Sequence, residues 1–188
     1  MKKIVLIDDH PMFRDGIKQT LAGTDRFIVV HESNSVASLK VYLEKNRNRL
    51  SDVYFIIDIS LPDGNGFELL PLISAAGGST QQCAMLSMHD DHEYVEHAFA
   101  KNVYGYVVKS DEQENIIACL EALEKGQTYV SPGVRNRDEN EILDRANKRE
   151  QDGLTPAFSS LSKRELDILK LVSVGKTSKE ISESLFLS

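Results

Sequence analysis

The sequence predicts an α/β protein, a five-stranded doubly wound parallel sheet followed by a small all-α segment. Three observations carry this. Five short apolar, β-rich runs alternate with segments of helical period through the first 130 residues; residues 134–152 are then almost entirely polar or charged; and from Leu161 two helix-start signatures follow one another across a glycine. Strand and helix alternating in one direction is what a parallel sheet with crossover helices requires.

In order, Lys3 to Ile7 reads as a strand and Met12 to Leu21 as a helix. The pair recurs as Phe27 to Val30 with Val36 to Leu43, Val53 to Ile57 with Phe67 to Ile73, and Cys83 to Leu86 with His92 to Ala100. It recurs once more as Gly105 to Val108 with Asn115 to Leu123, where Gly126 supplies the helix stop. The run from Leu61 to Gly66, Leu-Pro-Asp-Gly-Asn-Gly, forms turns or a plain loop. These elements make residues 1–130 one domain. Residues 131–158 form a charged linker: after Val134 its stretch to residue 152 holds only Ile142, Leu143 and Ala146 as apolar positions. A solvated helix and a mobile linker both fit that pattern.

Residues 159–188 turn helical again. Ser162-Lys163-Arg164-Glu165 is a capping box, and Leu161 with Leu166 matches a hydrophobic staple. Gly175 stops that helix, and Thr177-Ser178-Lys179-Glu180 is a second capping box opening a helix through Leu185. Two short helices across a glycine turn suggest a helix-turn-helix.

Composition bounds the function class. Of 188 residues, 41% are hydrophobic and 27% charged, which suits a globular protein with one mid-sized and one smaller domain. No apolar run approaches the roughly 18 residues of a membrane span, and Asp8 and Asp9 come too soon for a signal peptide, so a cytoplasmic protein without membrane contact is expected. Cys83 and Cys119 have no His or Cys neighbour at metal-ligand spacing and read as small buried hydrophobes. Residues 1–130 hold 12 Lys+Arg against 19 Asp+Glu, while residues 131–188 balance at 10 of each, so the first part repels nucleic acid on average.

The candidate site lies at strand ends. Asp8 and Asp9 end the first strand and Asp58 ends the third; in such a sheet these ends converge near the switch in strand order, where ligands bind. Single Asp residues at strand ends can simply cap the following helix. Three together make an acidic pocket whose mutual repulsion a cation relieves, and Mg2+ prefers such oxygen donors. Ser87 ends the fourth strand and Lys109 follows the fifth, adding a hydroxyl and an ammonium suited to carboxylate or phosphate. His10 reads as a helix-start residue, with a metal or phosphorelay role as its alternative. His89, His92 and His97 read as surface residues, although His89, two residues after Ser87, borders the pocket.

Asp8-Asp9, Asp58, Ser87 and Lys109, each after a hydrophobic strand, resemble the receiver domain of two-component response regulators, a flavodoxin-like fold. The resemblance covers roughly residues 1–130. With the Asp8-Asp9-His10-Pro11 start and the helix-turn-helix segment, the whole chain resembles the nitrate and nitrogen-fixation regulators, which end in a LuxR-type DNA-binding domain. The resemblance implies Asp58 as phospho-acceptor, Asp9 and Asp58 as direct Mg2+ ligands, Asp8 as a ligand through water, and the backbone carbonyl of Ser60 as a further ligand. It also implies that Ser87 and Lys109 stabilise the phosphoryl group. Tyr106 matches the family's switch aromatic, with an ordinary buried strand tyrosine as the alternative. A carboxylate attacks an anionic phosphoryl donor poorly unless cations neutralise the transferring group, which agrees with these roles.

Implied partners are a sensor histidine kinase, a second copy of the chain after phosphorylation, and DNA in the full-length protein. Converting a population from 1:99 to 99:1 active needs about 5.5 kcal/mol of preference for the active state. The chain stops at Ser188 before a recognition helix, which points to a truncated piece of a longer regulator rather than a natural end. Specific base readout is therefore not expected of this chain, while Lys176 and Lys179, with Lys163 and Arg164, could touch DNA phosphates. Phosphohydrolases with an aspartyl intermediate carry a second Asp two residues after the nucleophile, where this chain has Ser60, so it is not expected to be an enzyme. The competing reading is a phosphorylation-independent interaction module built on a receiver fold.

Overall fold

The computed structural model describes residues 1–88 and 92–134, all within the first of two units, Met1–Asp152 and Gly153–Ser188, into which the chain divides. The order is β1 (Lys2–Ile7), α1 (Pro11–Ala22), β2 (Phe27–Ser33), α2 (Val36–Lys45), β3 (Val53–Asp58), a small hairpin of β4 (Ser60–Leu61) and β5 (Gly64–Asn65), and α3 (Leu69–Ala75). Then follow β6 (Cys83–Ser87), α4 (His92–Ala100), β7 (Gly105–Val108), α5 (Glu114–Glu124) and β8 (Tyr129–Val130). The main sheet runs β2-β1-β3-β6-β7-β8, with every neighbouring pair parallel.

Alternation within the strands explains the two layers. Val5, Ile7, Phe55, Ile57, Met85 and Tyr106 pack on one face with apolar residues of α2, α3 and α4. Ile4, Leu6, Tyr54, Ile56, Leu86 and Val107 pack on the other with Ile17 and Leu21 of α1 and Ile116, Leu120 and Leu123 of α5. Both faces are covered, so the strands read as near-continuous apolar runs. The chain leaves β1 in one direction to form β2 and crosses back to form β3 on the other side. That reversal opens a crevice at the carboxyl ends of β1 and β3, where Asp8 and Asp58 stand.

All five expected strands are present, and the sheet carries a sixth, β8. Two residues are too short for alternation to reveal; backbone bonds place them, with Tyr129 N–H donating to Tyr104 O (2.8 Å) and Ser131 N–H to Tyr106 O (2.9 Å). Packing continues past β8, since Ser131 and Val134 are buried. The turn run after Asp58 is the β4–β5 hairpin, and Asp63 at its tip accepts from the backbone N–H groups of Val36 and Ala37, capping α2. The single helix expected over Phe67 to Ile73 is instead a 3-10 turn, Gly66–Glu68, leading into α3, because the Asn65–Glu68 capping box tightens its start. His97, expected at the surface, is half-buried with its ring edge-on to Phe67, 4.7 Å between centroids. Gly126 follows α5 with φ of 67°, the left-handed turn expected of a helix stop.

Among the described residues no helix is long and apolar enough to cross a membrane. Cys83 and Cys119 are buried and free, and burial pushes both thiols above their ordinary range. The linker beyond residue 134, both capping boxes, His89, Lys163, Arg164, Lys176 and Lys179 lie outside the described residues.

Candidate functional site

The acidic pocket is assembled by the strand ends and the connections leaving them. Asp8 directly follows β1 with its backbone N–H donating to Ser33 O on β2 (3.0 Å). Its side chain is 0% exposed, and its Oδ1 accepts from the His10 N–H at 2.7 Å. Asp58 is the last residue of β3 and 2% exposed; its Oδ1 accepts from the Ser60 N–H at 3.1 Å. Lys109 follows β7, its backbone N–H donating to Ser87 O at 2.7 Å. Its ammonium lies between the two carboxylates, 2.7 Å from Asp8 Oδ2 and 2.6 Å from Asp58 Oδ2, while its side chain is only 6% exposed. The ammonium also stands 5.2 Å from the centre of the Phe13 ring, a cation–π contact from α1.

Two acids and one base therefore share a buried space. Burial pushes the Asp58 carboxyl above the ordinary aspartate value, Lys109 and the Ser60 N–H pull it back, and the Asp8 charge adds to the upward push. Asp9, a third exposed, lies on the open side. The donor atoms of Asp8, Asp9, His10 and Asp58 all lie within 4.8 Å of one another. Two of the buried oxygens, Asp8 Oδ2 and Asp9 Oδ1, make no hydrogen bond: Lys109 Nζ and His10 Nδ1 are each 2.7 Å away, but as charge contacts without hydrogen-bond alignment. Oxygen donors with unused accepting capacity fit a hard divalent cation such as Mg2+.

The structure thus brings Asp8, Asp9, Asp58 and Lys109 together. Ser87 is buried at the end of β6, beside Asp58 through the register Asp58–Leu86 and opposite Val108. Ser60 is exposed in β4 with its N–H on Asp58. Tyr106 is fully buried in the core cluster that also holds apolar residues of α2, α3 and α4, as either a switch aromatic or an ordinary strand tyrosine would be. His10, read as a helix-start residue, is the N-cap of α1 without a capping bond from its side chain, and its ring instead joins the acidic cluster.

Two residues were missed by sequence reasoning. Gly66 packs on the acceptor's own peptide, and a Cβ there would lie 2.1 Å from Asp58 O. Arg14 donates to Asp8 O at 2.6 Å. The only signal for either was proximity: a glycine two residues beyond an Asp-Gly turn, and an arginine one turn into the helix after the acidic pair.

Residues 4–121 match the response regulator receiver domain family. The chain belongs to this family. Its last residues, 159–188, match the luxR family of bacterial regulatory proteins, so this response regulator joins a receiver domain to a LuxR-type segment. It is similar to the oxygen regulatory protein NreC of Staphylococcus epidermidis, 32% identical over 188 residues, a match covering 99% of this chain and 84% of that protein. NreC of Staphylococcus aureus is 30% identical over 187 residues, with 99% and 83% covered. Among solved structures, the RcsB response regulator of Salmonella typhimurium aligns with a TM-score of 0.60 at 22% identity, covering 100% of this chain and 84% of that one. A LuxR-family two-component response regulator from Aurantimonas aligns with a TM-score of 0.62 at 24% identity, covering 80% and 99%. At these identities the structural matches bear on the fold alone.

Proposed function

We propose that this response regulator accepts a phosphoryl group on Asp58 and converts it into dimerisation and control of transcription. The observation that carries the proposal is the buried arrangement in which Lys109 bridges Asp8 and Asp58 beside two carboxylate oxygens that lack hydrogen bonds. An Asp58 oxygen attacks phosphorus, an O–P bond forms, and the bond from phosphorus to the donor breaks, the leaving group departing with its electron pair. Asp8, Asp9, Asp58 and the Ser60 carbonyl would hold Mg2+, which when bound neutralises charge on the transferring oxygens. Lys109 supplies the second cation, already within reach of Asp58 Oδ2. Ser87, at the neighbouring strand end, supplies a hydroxyl to the transferred group, and Tyr106 follows its movement. The chain is thereby an acceptor and not an enzyme turning over an external substrate.

The donor in the cell is a sensor histidine kinase, and the protein works in the cytoplasm. The domain layout keeps the sequence reading except at one boundary: the receiver runs to residue 134, because Ser131 and Val134 are buried in it, and a linker to residue 158 leads to a LuxR-type segment over residues 159–188. RcsB structures include a DNA complex and pairs of dimers on DNA; by likeness the LuxR-type segment belongs to a DNA-binding domain, in which Lys176 and Lys179 touch phosphates. Incubation with a small-molecule phosphodonor and Mg2+, read by intact mass and sizing, tests the proposal beside Asp58→Asn. One added phosphoryl group that requires Asp58 and Mg2+, with a shift to dimer, is expected. No gain under conditions that modify a known receiver would replace this reading with the phosphorylation-independent interaction module.

A further inference from the structure

Asp8 and Asp9 are joined by one peptide, and the orientation of that peptide decides where the Asp9 carboxylate falls once Asp8 is fixed in the sheet. The peptide's carbonyl is Asp8 O, and Arg14 donates to it from a guanidinium nitrogen at 2.6 Å. Arg14 is itself held. Its Nε donates to Glu32 Oε2 at 3.1 Å, and its side chain is 17% exposed. Glu32 lies on β2, one residue before Ser33, whose carbonyl accepts the Asp8 N–H at 3.0 Å. Strand β2 therefore grips Asp8 twice, directly through its N–H and indirectly through Glu32 and Arg14 on its carbonyl. Lys18, one turn further along α1, pairs with the side chains of Glu32 at 2.9 Å and Asp15 at 2.8 Å, whereas Arg14 also holds the main-chain Asp8 O.

We infer that Arg14 is a positioning residue for the divalent-cation site, fixing the Asp8–Asp9 peptide so that both carboxylates face the cation with Asp58. The planar fork suits the task, because one nitrogen can hold the carbonyl while another is anchored on Glu32. A lysine has one point of attachment and can serve only one partner well. The inference rests on the reading of this pocket as a Mg2+ site. Its sign is opposite to what charge alone would give. Arg14 is a cation close to the proposed cation, so in simple Coulomb terms deleting it removes repulsion and strengthens Mg2+ binding. Positioning demands that deletion weaken binding, by the roughly 10–100-fold typical when an outer partner of a metal ligand is lost.

The test is calorimetric titration of the full chain with MgCl2, in wild type, Arg14→Met, Arg14→Lys, Lys18→Met and Asp58→Asn. Wild type binding Mg2+ with a loss in Asp58→Asn establishes the site independently of Arg14; no Mg2+ binding by folded wild type overturns both the site and the inference. Given the site, the expected result is a Kd weakened about 10–100-fold in Arg14→Met, a smaller loss in Arg14→Lys, and no loss in Lys18→Met. Unchanged or tighter binding in Arg14→Met overturns the inference, leaving Arg14 as packing only. Equal weakening in Lys18→Met overturns it too, since that variant removes a charge on Glu32 without touching Asp8. Should Arg14→Met fail to fold, Arg14→Lys carries the decision by the same comparison, weaker than Lys18→Met for the inference and equal to it against.

Discussion

Replacing Lys109 by methionine would remove the one ammonium that two buried carboxylates share. Its Nζ is 2.7 Å from Asp8 Oδ2 and 2.6 Å from Asp58 Oδ2, and those side chains are 0% and 2% exposed. Methionine keeps much of the apolar stem, so the loss is mainly of charge. Removing one partner of a buried pair costs about 3–5 kcal/mol, because the remaining charge is left uncompensated. The upper end has a limit, since one carboxylate can take a proton instead. At pH 7 that costs about 4 kcal/mol for a group that ordinarily titrates near 3.9, at about 1.36 kcal/mol per unit. Asp58 is the group to take it, because burial already pushes its carboxyl upward. The expected destabilisation is therefore about 3–4 kcal/mol at pH 7 without divalent ions, read by urea unfolding of the full chain. Adding Asp58→Asn to Lys109→Met should recover a large part of the loss, since only Asp8 then remains unpaired, and Mg2+ at about 100 times its Kd should add about 2.7 kcal/mol to Lys109→Met. A loss below about 1 kcal/mol, or a double variant no more stable than Lys109→Met, would refute the view that Lys109 neutralises the pair.

Gly66→Ala places a Cβ 2.1 Å from Asp58 O, against backbone that cannot rotate away; a destabilisation of about 1–3 kcal/mol and slower phosphorylation of Asp58 are expected, by thermal melting and intact mass. Ser131→Ala deletes the buried Oγ that accepts the Val108 N–H at 2.9 Å, and the orphaned donor should cost about 1–3 kcal/mol in urea unfolding. Burial holds the His31 imidazole, stacked on Tyr42, below its ordinary value. The unfolded state therefore takes up the proton first on acidification, so the stability His31 contributes is present above about pH 6.5 and is lost as pH falls through its lower folded value. His31→Gln should lose less stability than wild type between about pH 7.5 and 5.5; equal losses would remove His31 as the cause.

The strands and most of the site were legible because each rests on a local signal. Uninterrupted runs such as Val53 to Ile57 announce strands buried on both faces, and although one Asp at the end of such a run can simply cap a helix, three of them with a lysine at another strand end point to a shared pocket. The single β–α–β direction then brings Asp8, Asp58 and Lys109 to one edge without any knowledge of contacts. What escaped is long-range or made by backbone. β8 is set by bonds to Tyr104 and Tyr106 rather than by its own two residues. Gly66 looked like an ordinary turn glycine because its reason is the Asp58 carbonyl, eight residues back along the chain and adjacent only after the hairpin folds. Arg14 offered a charge on an amphipathic helix, and its grip on a main-chain oxygen depends on Glu32, brought in by the β1–β2 pairing.

The position of Lys109 bears on what the proposed phosphoryl group on Asp58 would do to the pocket. A phosphoryl group adds about −1.5 to −2 charge at neutral pH, so the ammonium now divided between Asp8 and Asp58 would be drawn to one side. The ammonium rides on a flexible four-carbon stem, whereas the backbone beneath it is fixed, the Lys109 N–H by Ser87 O and the preceding N–H by Ser131 Oγ. Ser131 N–H in turn donates to Tyr106 O. A movement of that backbone would therefore be felt by β6, β7 and Ser131, just after β8. Among the described residues, the backbone at Lys109 is tied to its surroundings by main-chain bonds and one buried serine. A rigid strand end linked in this way transmits displacement better than it absorbs it.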